Sequence, residues 1–138
     1  MLDFCTNKYY TINDLVNIMQ ILRGENGCPW DREQNHKSIR NNFIEEVYEA
    51  IEAIDTENTK LLREELGDVL LQVIFHSQME NEAGHFTFDD VVDELCRKLV
   101  VRHPHVFGEI KVSGTSEVLT NREAIKNNTK GTKSYTET

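Results

Sequence analysis

The sequence predicts an all-α fold, an antiparallel bundle of four main helices. Three observations carry this. Apolar residues recur at helical spacing along four segments,. No series of alternating segments reads as strands. The polar linkers between successive segments are short, which makes neighbouring helices run antiparallel. At 138 residues the chain suits one domain with a real core,. That domain is expected over residues 1–126, with a polar, mobile tail over 127–138.

The first helix runs from Thr11 to Leu22, capped by Thr11 or Asn13, with Ile12, Leu15, Ile18, Met19 and Leu22 on one face,. Arg23 to Asp31 reads as a loop, with Gly24, Gly27 and Pro29 as breakers,. Trp30, the only tryptophan, is either packed onto the core there or free to contact a ligand. His36 to Asp55 forms the second helix, with Phe43, Val47, Ala50, Ile51 and Ile54 on its core face. Thr56 to Asn58 is a short linker, and the third helix spans about 59–82. The fourth, Phe88 to Arg102, turns Val91, Val92, Leu95, Leu99 and Val100 inward, and Pro104 ends it,. Beyond Phe107 the chain is rich in Gly, Ser and Thr. One short extended piece is expected at Ile110 to Val112 and a last helical turn at Arg122 to Lys126.

A net charge of −9 argues against a nucleic-acid surface, which needs clustered Lys and Arg,. It also means that a phosphorylated ligand would bind only where cations reverse the local field. Three cysteines without a CxxC pair disfavour a disulfide framework or thiolate metal site and fit a reducing cytosol,. No apolar run approaches membrane-spanning length, and Met1 to Tyr10 lack a secretory pattern, so a cytoplasmic protein is expected,.

The chemistry concentrates in carboxylates. Glu46 and Glu49 lie three residues apart on the second helix, as do Glu65 and Asp68 on the third, so each pair shares a face,. The third helix is apolar nearly all round and reads as buried. Leu66, Val69, Leu70 and Val73 form one face, while Leu61, Leu71, Phe75 and Met79 cover most of the other. Glu65 and Asp68 project between these apolar groups, where an unpaired charge is costly without a partner, a proton or a cation. An antiparallel arrangement brings 46/49 opposite 65/68, an all-oxygen cage suited to Mg²⁺ or Mn²⁺. A solvated acidic face is the simpler reading of Glu46/Glu49 alone; the two pairs together favour metal. A di-iron bundle would need Glu-x-x-His on two helices. Glu33 to His36 and Glu82 to His85 have that spacing but straddle helix ends.

Lys98 and Arg102, one turn apart ahead of His103-Pro104-His105, form the densest basic cluster. They suit either the negative end of a helix or a phosphate clamp. His103 and His105 are expected to be hydrogen-bonded rather than ligating, His76 to be a satisfied core histidine, and Cys28 to be inert.

These residues resemble the MazG-type nucleoside triphosphate pyrophosphohydrolases of the all-α NTP pyrophosphatase group. The likeness runs from about Leu15 to Lys126 and includes Gly27-Cys28-Pro29-Trp30-Asp31, Glu45-Glu46-Val47-Tyr48-Glu49, Glu64-Glu65-Leu66-Gly67-Asp68 and Arg102-His103-Pro104-His105-Val106-Phe107. The resemblance implies Mg²⁺-dependent hydrolysis between the α and β phosphates of an NTP, releasing NMP and pyrophosphate. It makes Glu46, Glu49, Glu65 and Asp68 the metal ligands. It also implies that Glu45, Glu64, Lys98, Arg102, Trp30 and Lys126 contact substrate. On chemical grounds Glu45 or Glu49 is expected to orient or deprotonate the attacking water, and the sequence does not choose between them. Such proteins work as homodimers, so the bundle is expected to be completed by dimerisation. Many relatives carry Trp ahead of Glu-x-Ile-Lys, where this chain has Arg122. The alternative is a non-catalytic nucleotide-binding or dimerisation module of the same fold.

Overall fold

The computed structural model describes residues 9–108 and 114–130. Its regular elements there are all helices, the class the sequence predicts. They are α1 (Ile12–Leu22), α2 (Pro29–Glu33), α3 (Arg40–Asp55), α4 (Thr59–Glu82), α5 (Phe88–Val101), α6 (Pro104–Phe107) and α7 (Thr115–Lys130). They fall into two compact units, Met1–Phe88 and Asp89–Thr138. No described helix is long and apolar enough to cross a membrane.

In the first unit α4 packs against both α3 and α1. Thr11 opens α1 with a capping box: its backbone N–H donates to Asp14 at 2.8 Å, and its hydroxyl accepts from the Asp14 N–H,. Asn58 caps α4 by accepting from the Leu61 N–H at 3.1 Å. Between α3 and α4 the chain reverses in three residues. Glu57 there adopts a positive φ of 52°, an uncommon conformation for a residue with a side chain,. The core is a small cluster of Met19, Ile39, Ile74, Phe75 and Met79, with Leu15, Val16 and Phe88 against it.

Several boundaries differ from the sequence reading. The second main helix begins at Arg40, not His36. Asn35 and Ser38 satisfy each other's backbone N–H groups at 2.9 Å and hold a turn, and Ile39 follows as a buried anchor,. Part of the expected loop is α2, started by Pro29 with its φ already set for a helix,. The Gly-, Ser- and Thr-rich stretch that ends at Thr120 is helical from Thr115. Val118, Asn121, Arg122, Ile125 and Lys126 are half-buried along it, at helical spacing that the Ser and Thr content obscured,. Helix continues to Lys130, into the expected tail. Residues 131–138 and the extended piece expected at 110–112 lie outside the described residues.

The faces differ too. Ala50 and Ala53 are the buried residues of α3, whereas Val47, Ile51 and Ile54 are exposed. On α4, Leu66 is 54% exposed, and Leu70 and Leu71 are also open. No residue of α5 is buried; of its expected inward face Val91 is half-buried, while Val92, Leu95, Leu99 and Val100 are exposed. Apolar nearly all round therefore does not mean enclosed here: α3 and α1 shield only part of the α4 surface.

Two polar devices tie the irregular segment between α1 and α3 to α4. Arg23, its side chain almost buried, makes a bidentate pair with Glu82 at 2.8 and 2.9 Å,. Its other Nη donates to the carbonyls of Asp31 and Gln34, and the guanidinium lies over the Phe75 ring,. This Arg23 pair holds the Glu82 carboxyl below its usual range. The second device is a histidine relay. Glu80 accepts from His36 Nε2 at 2.7 Å and from His85 Nδ1 at 2.6 Å. His36 Nδ1 and His76 Nδ1 lie 2.6 Å apart, so one of the two rings donates to the other,. Hydrogen bonds from His85 and His36 lower the Glu80 pKa, and burial, helped by His36, lowers that of His76. His76 Nε2 has no partner, so the expected core histidine is only half satisfied.

Gly27 is fixed by contact. A Cβ at this position would lie 2.2 Å from the carbonyl oxygens of Ile21 and Leu22, where the loop folds back on the end of α1. Gly27→Ala should lower unfolding stability by about 1–3 kcal/mol, measured by urea denaturation; an unchanged midpoint would contradict this packing.

Candidate active site

The three-residue reversal lays the acidic pairs of α3 and α4 side by side. Glu46 and Glu49 are one turn apart on α3, and Glu65 and Asp68 one turn apart on α4,. Small residues make the approach possible. Ala53 is 1% exposed and Ala50 7%, so α3 meets its neighbour without long side chains between. One carboxylate oxygen from each of Glu46, Glu49, Glu65 and Asp68 lies within 4.8 Å of all the others.

Four like charges so close disfavour full ionisation. Burial, reinforced by Glu49 and then by Asp68 and Glu46, pushes Glu65 up to about 7. Glu46 is raised as well, by burial first and then by Glu49, Asp68 and Glu45. Oε2 of Glu46 and Oε2 of Glu65 are shielded from solvent and have no hydrogen-bond partner. Orphaned buried acceptors, an all-oxygen donor set and this spacing fit a hard divalent cation. Oxygens on opposite sides of an ion bound at ~2.1–2.4 Å stand about 4–5 Å apart. The four residues could hold such an ion, and Glu49, the most exposed of them, is on the solvent side.

The other residues singled out from sequence fall elsewhere. Glu45 and Glu64 are exposed neighbours of Glu46 and Glu65 and lie outside the cluster. Trp30 is 55% exposed on α2 rather than packed onto the core. Lys98, Arg102 and Lys126 belong to the second unit, where Arg102 and Lys126 line one cavity with Arg122. Lys98 is half-buried and does not line it. His103 donates from Nδ1 to the Leu99 carbonyl at 2.6 Å, the structural role expected of it. The di-iron alternative fails on geometry: Glu33 ends α2 while His36 lies in a turn, and Glu82 is engaged by Arg23. Arg122 is the residue the sequence reading undervalued; its spacing of four from Lys126 was the available signal.

Residues 34–107 match the model of the MazG nucleotide pyrophosphohydrolase domain. The chain belongs to this MazG family. It is 56% identical over 96 residues to the nucleoside triphosphate pyrophosphohydrolase/pyrophosphatase MazG of Thermotoga maritima, covering 70% of this chain and 38% of that one. It is 48% identical over 116 residues to the nucleoside triphosphate pyrophosphohydrolase of Escherichia coli K12, covering 83% and 44%. An uncharacterized Bacillus subtilis protein, YabN, is 49% identical over 124 residues, 90% of this chain and 25% of its own. The chain thus spans less than half the length of each of these relatives. A crystal structure of a MazG-related protein from Thermotoga maritima superposes with a TM-score of 0.69 at 22% identity, over 83% of this chain and 98% of that one. At that identity it speaks for the fold alone.

The raised Glu65 pKa sets a pH dependence. A carboxyl whose pKa is higher folded than unfolded stabilises the fold below its unfolded pKa of about 4.3. That contribution is lost as pH rises through about 7. In metal-free buffer Glu65→Gln should therefore raise the melting temperature clearly at pH 8 and little at pH 4. A gain confined to pH 4 would contradict the assigned repulsion.

Proposed function

We propose that this chain is a divalent-cation-dependent nucleoside triphosphate pyrophosphohydrolase acting in nucleotide-pool housecleaning. The observation that carries the reading is the convergence of Glu46, Glu49, Glu65 and Asp68 in a member of the MazG family. The names of its relatives support the substrate class.

In this reading the four carboxylates hold Mg²⁺, with Mn²⁺ as a substitute. A bound cation of this kind would neutralise phosphate charge and acidify a coordinated water. The chain's own residues do the rest. Water oxygen bonds to the α-phosphorus as the bond from that phosphorus to the bridging oxygen breaks, so pyrophosphate leaves with the bridging oxygen. Glu49 or its neighbour Glu45 accepts the water proton; both are exposed on the same stretch of α3 and so accessible to solvent. Lys98, Arg102 and Lys126 bind phosphate oxygens and counter the charge growing on the leaving group. Glu64 and the exposed Trp30 contact the nucleoside.

The active form is proposed to be a homodimer, one domain of residues 1–126 per protomer. Exposed Ile44, Val47, Tyr48 and Ile51 on α3 support this, together with Leu66 and Leu70 on α4. Ile44, Val47, Tyr48 and Ile51 line, with Arg40 and Phe43, one apolar groove of about 480 Å³. A group of exposed apolar residues on one helix face is unusual for a monomer. A cytoplasmic setting fits the free thiols of Cys28 and Cys96,.

The test is pyrophosphate release from a panel of NTPs and dNTPs with and without Mg²⁺. The expected result is Mg²⁺-dependent release from at least one nucleotide. Glu65→Gln and Asp68→Asn should each reduce kcat more than ~100-fold, since even the outer-shell partners of a metal cost about 10–100-fold. Both variants should keep the parent's far-UV circular dichroism. No Mg²⁺-dependent release from any member would point to the non-catalytic module instead.

A further inference from the structure

The second unit contains a polar cavity of about 150 Å³ lined by Arg102, Leu119, Arg122, Glu123 and Lys126. Arg122 and Lys126 stand one turn apart on α7, so both side chains leave the same face,. Arg102 comes from the residue after α5. Among the described residues, three cations line the cavity against one carboxylate, in a chain whose net charge is −9.

Arg122 itself is half-buried, and its Nε is shielded from solvent without a hydrogen-bond partner. A guanidinium N–H withdrawn from water and left without an acceptor is costly. An anion in the cavity would pair with the Arg122 guanidinium and offset the mutual repulsion of the three cations,. Size narrows the choice. Sites for drug-sized ligands run to about 300–1,000 Å³, so this cavity suits a small anion better than a whole nucleotide. A planar guanidinium fork beside a lysine ammonium matches phosphate oxygens in both geometry and charge.

We propose that Arg122 is a phosphate-binding residue that, with Arg102 and Lys126, forms a subsite for a diphosphate group. The naming of the anion rests on the pyrophosphohydrolase reading; the cation geometry does not. Selection at this subsite is of phosphate number and not of base. A chain with an aromatic residue at position 122 would instead offer a ring for stacking.

The experiment is calorimetric titration of inorganic pyrophosphate into the full chain in Mg²⁺-free buffer at fixed salt, for the parent, Arg122→Gln and Arg122→Lys. Loss of a hydrogen bond to a charged group should weaken Kd roughly tenfold to a hundredfold in Arg122→Gln, with a smaller loss in Arg122→Lys. A Kd for Arg122→Gln less than fivefold weaker than the parent's overturns the proposal, as does a parent that binds no pyrophosphate at millimolar concentration. If circular dichroism shows that Arg122→Gln does not fold, Lys126→Gln carries the same fivefold criterion. Arg122-dependent pyrophosphate binding without turnover of any nucleotide would sink the hydrolase reading and leave the subsite. Turnover with pyrophosphate binding unchanged in Arg122→Gln would sink the subsite alone.

Discussion

Repulsion among Glu46, Glu49, Glu65 and Asp68 is the constraint on which the site in the first unit depends. Carboxylate oxygens within 4.8 Å of one another are not tolerated in a half-buried seam unless charge is removed or neutralised,. In the protein alone, burial and the neighbouring carboxylates push Glu65 and Glu46 toward their protonated forms. A divalent cation answers the repulsion with less rearrangement, because the oxygens are already gathered. The tight α3–α4 reversal and the buried Ala50 and Ala53 force the approach that creates the repulsion. The seam is thus less stable as a scaffold than an apolar one would be, and the stability it forgoes is available for binding.

The surroundings of this seam are braced at the far half of α4. Arg23 spans α1, α2 and the end of α4 through Glu82 and two backbone carbonyls. His36, His76, Glu80 and His85 tie the turn before α3 to the same stretch. With five apolar residues in the buried cluster among the described residues, these charge-assisted contacts help hold the segment between α1 and α3 against α4,. Lack of cover elsewhere on α3 and α4 leaves aliphatic residues open that a helix of such composition would normally bury.

Much of this was legible in the sequence, for reasons that can be named. Spacing of three within each acidic pair, on segments with strong helical periodicity, placed each pair on one face. A three-residue linker then forced the pairs together. The class of fold followed from helical periodicity, the lack of an alternating strand series and the short linkers. What the sequence hid were features decided by contacts between distant residues. That Asn35 and Ser38 hold a turn, so that the helix starts at Arg40, depends on reciprocal side-chain bonds. That His76 pairs with His36, forty residues away, has no local signature. Residues 115–120 carried a loop-like composition that outweighed the spacing of Val118, Arg122 and Ile125. Arg122 consequently looked like a departure from a pattern, whereas it lines a cavity with Arg102 and Lys126.

The central claim is that the four carboxylates are a cation site. Anomalous diffraction from crystals grown with Mn²⁺ tests it most directly. The account predicts a Mn²⁺ peak within about 2–2.5 Å of oxygens from Glu46, Glu49, Glu65 and Asp68. Well-ordered density for the four side chains with no anomalous peak among them would contradict it.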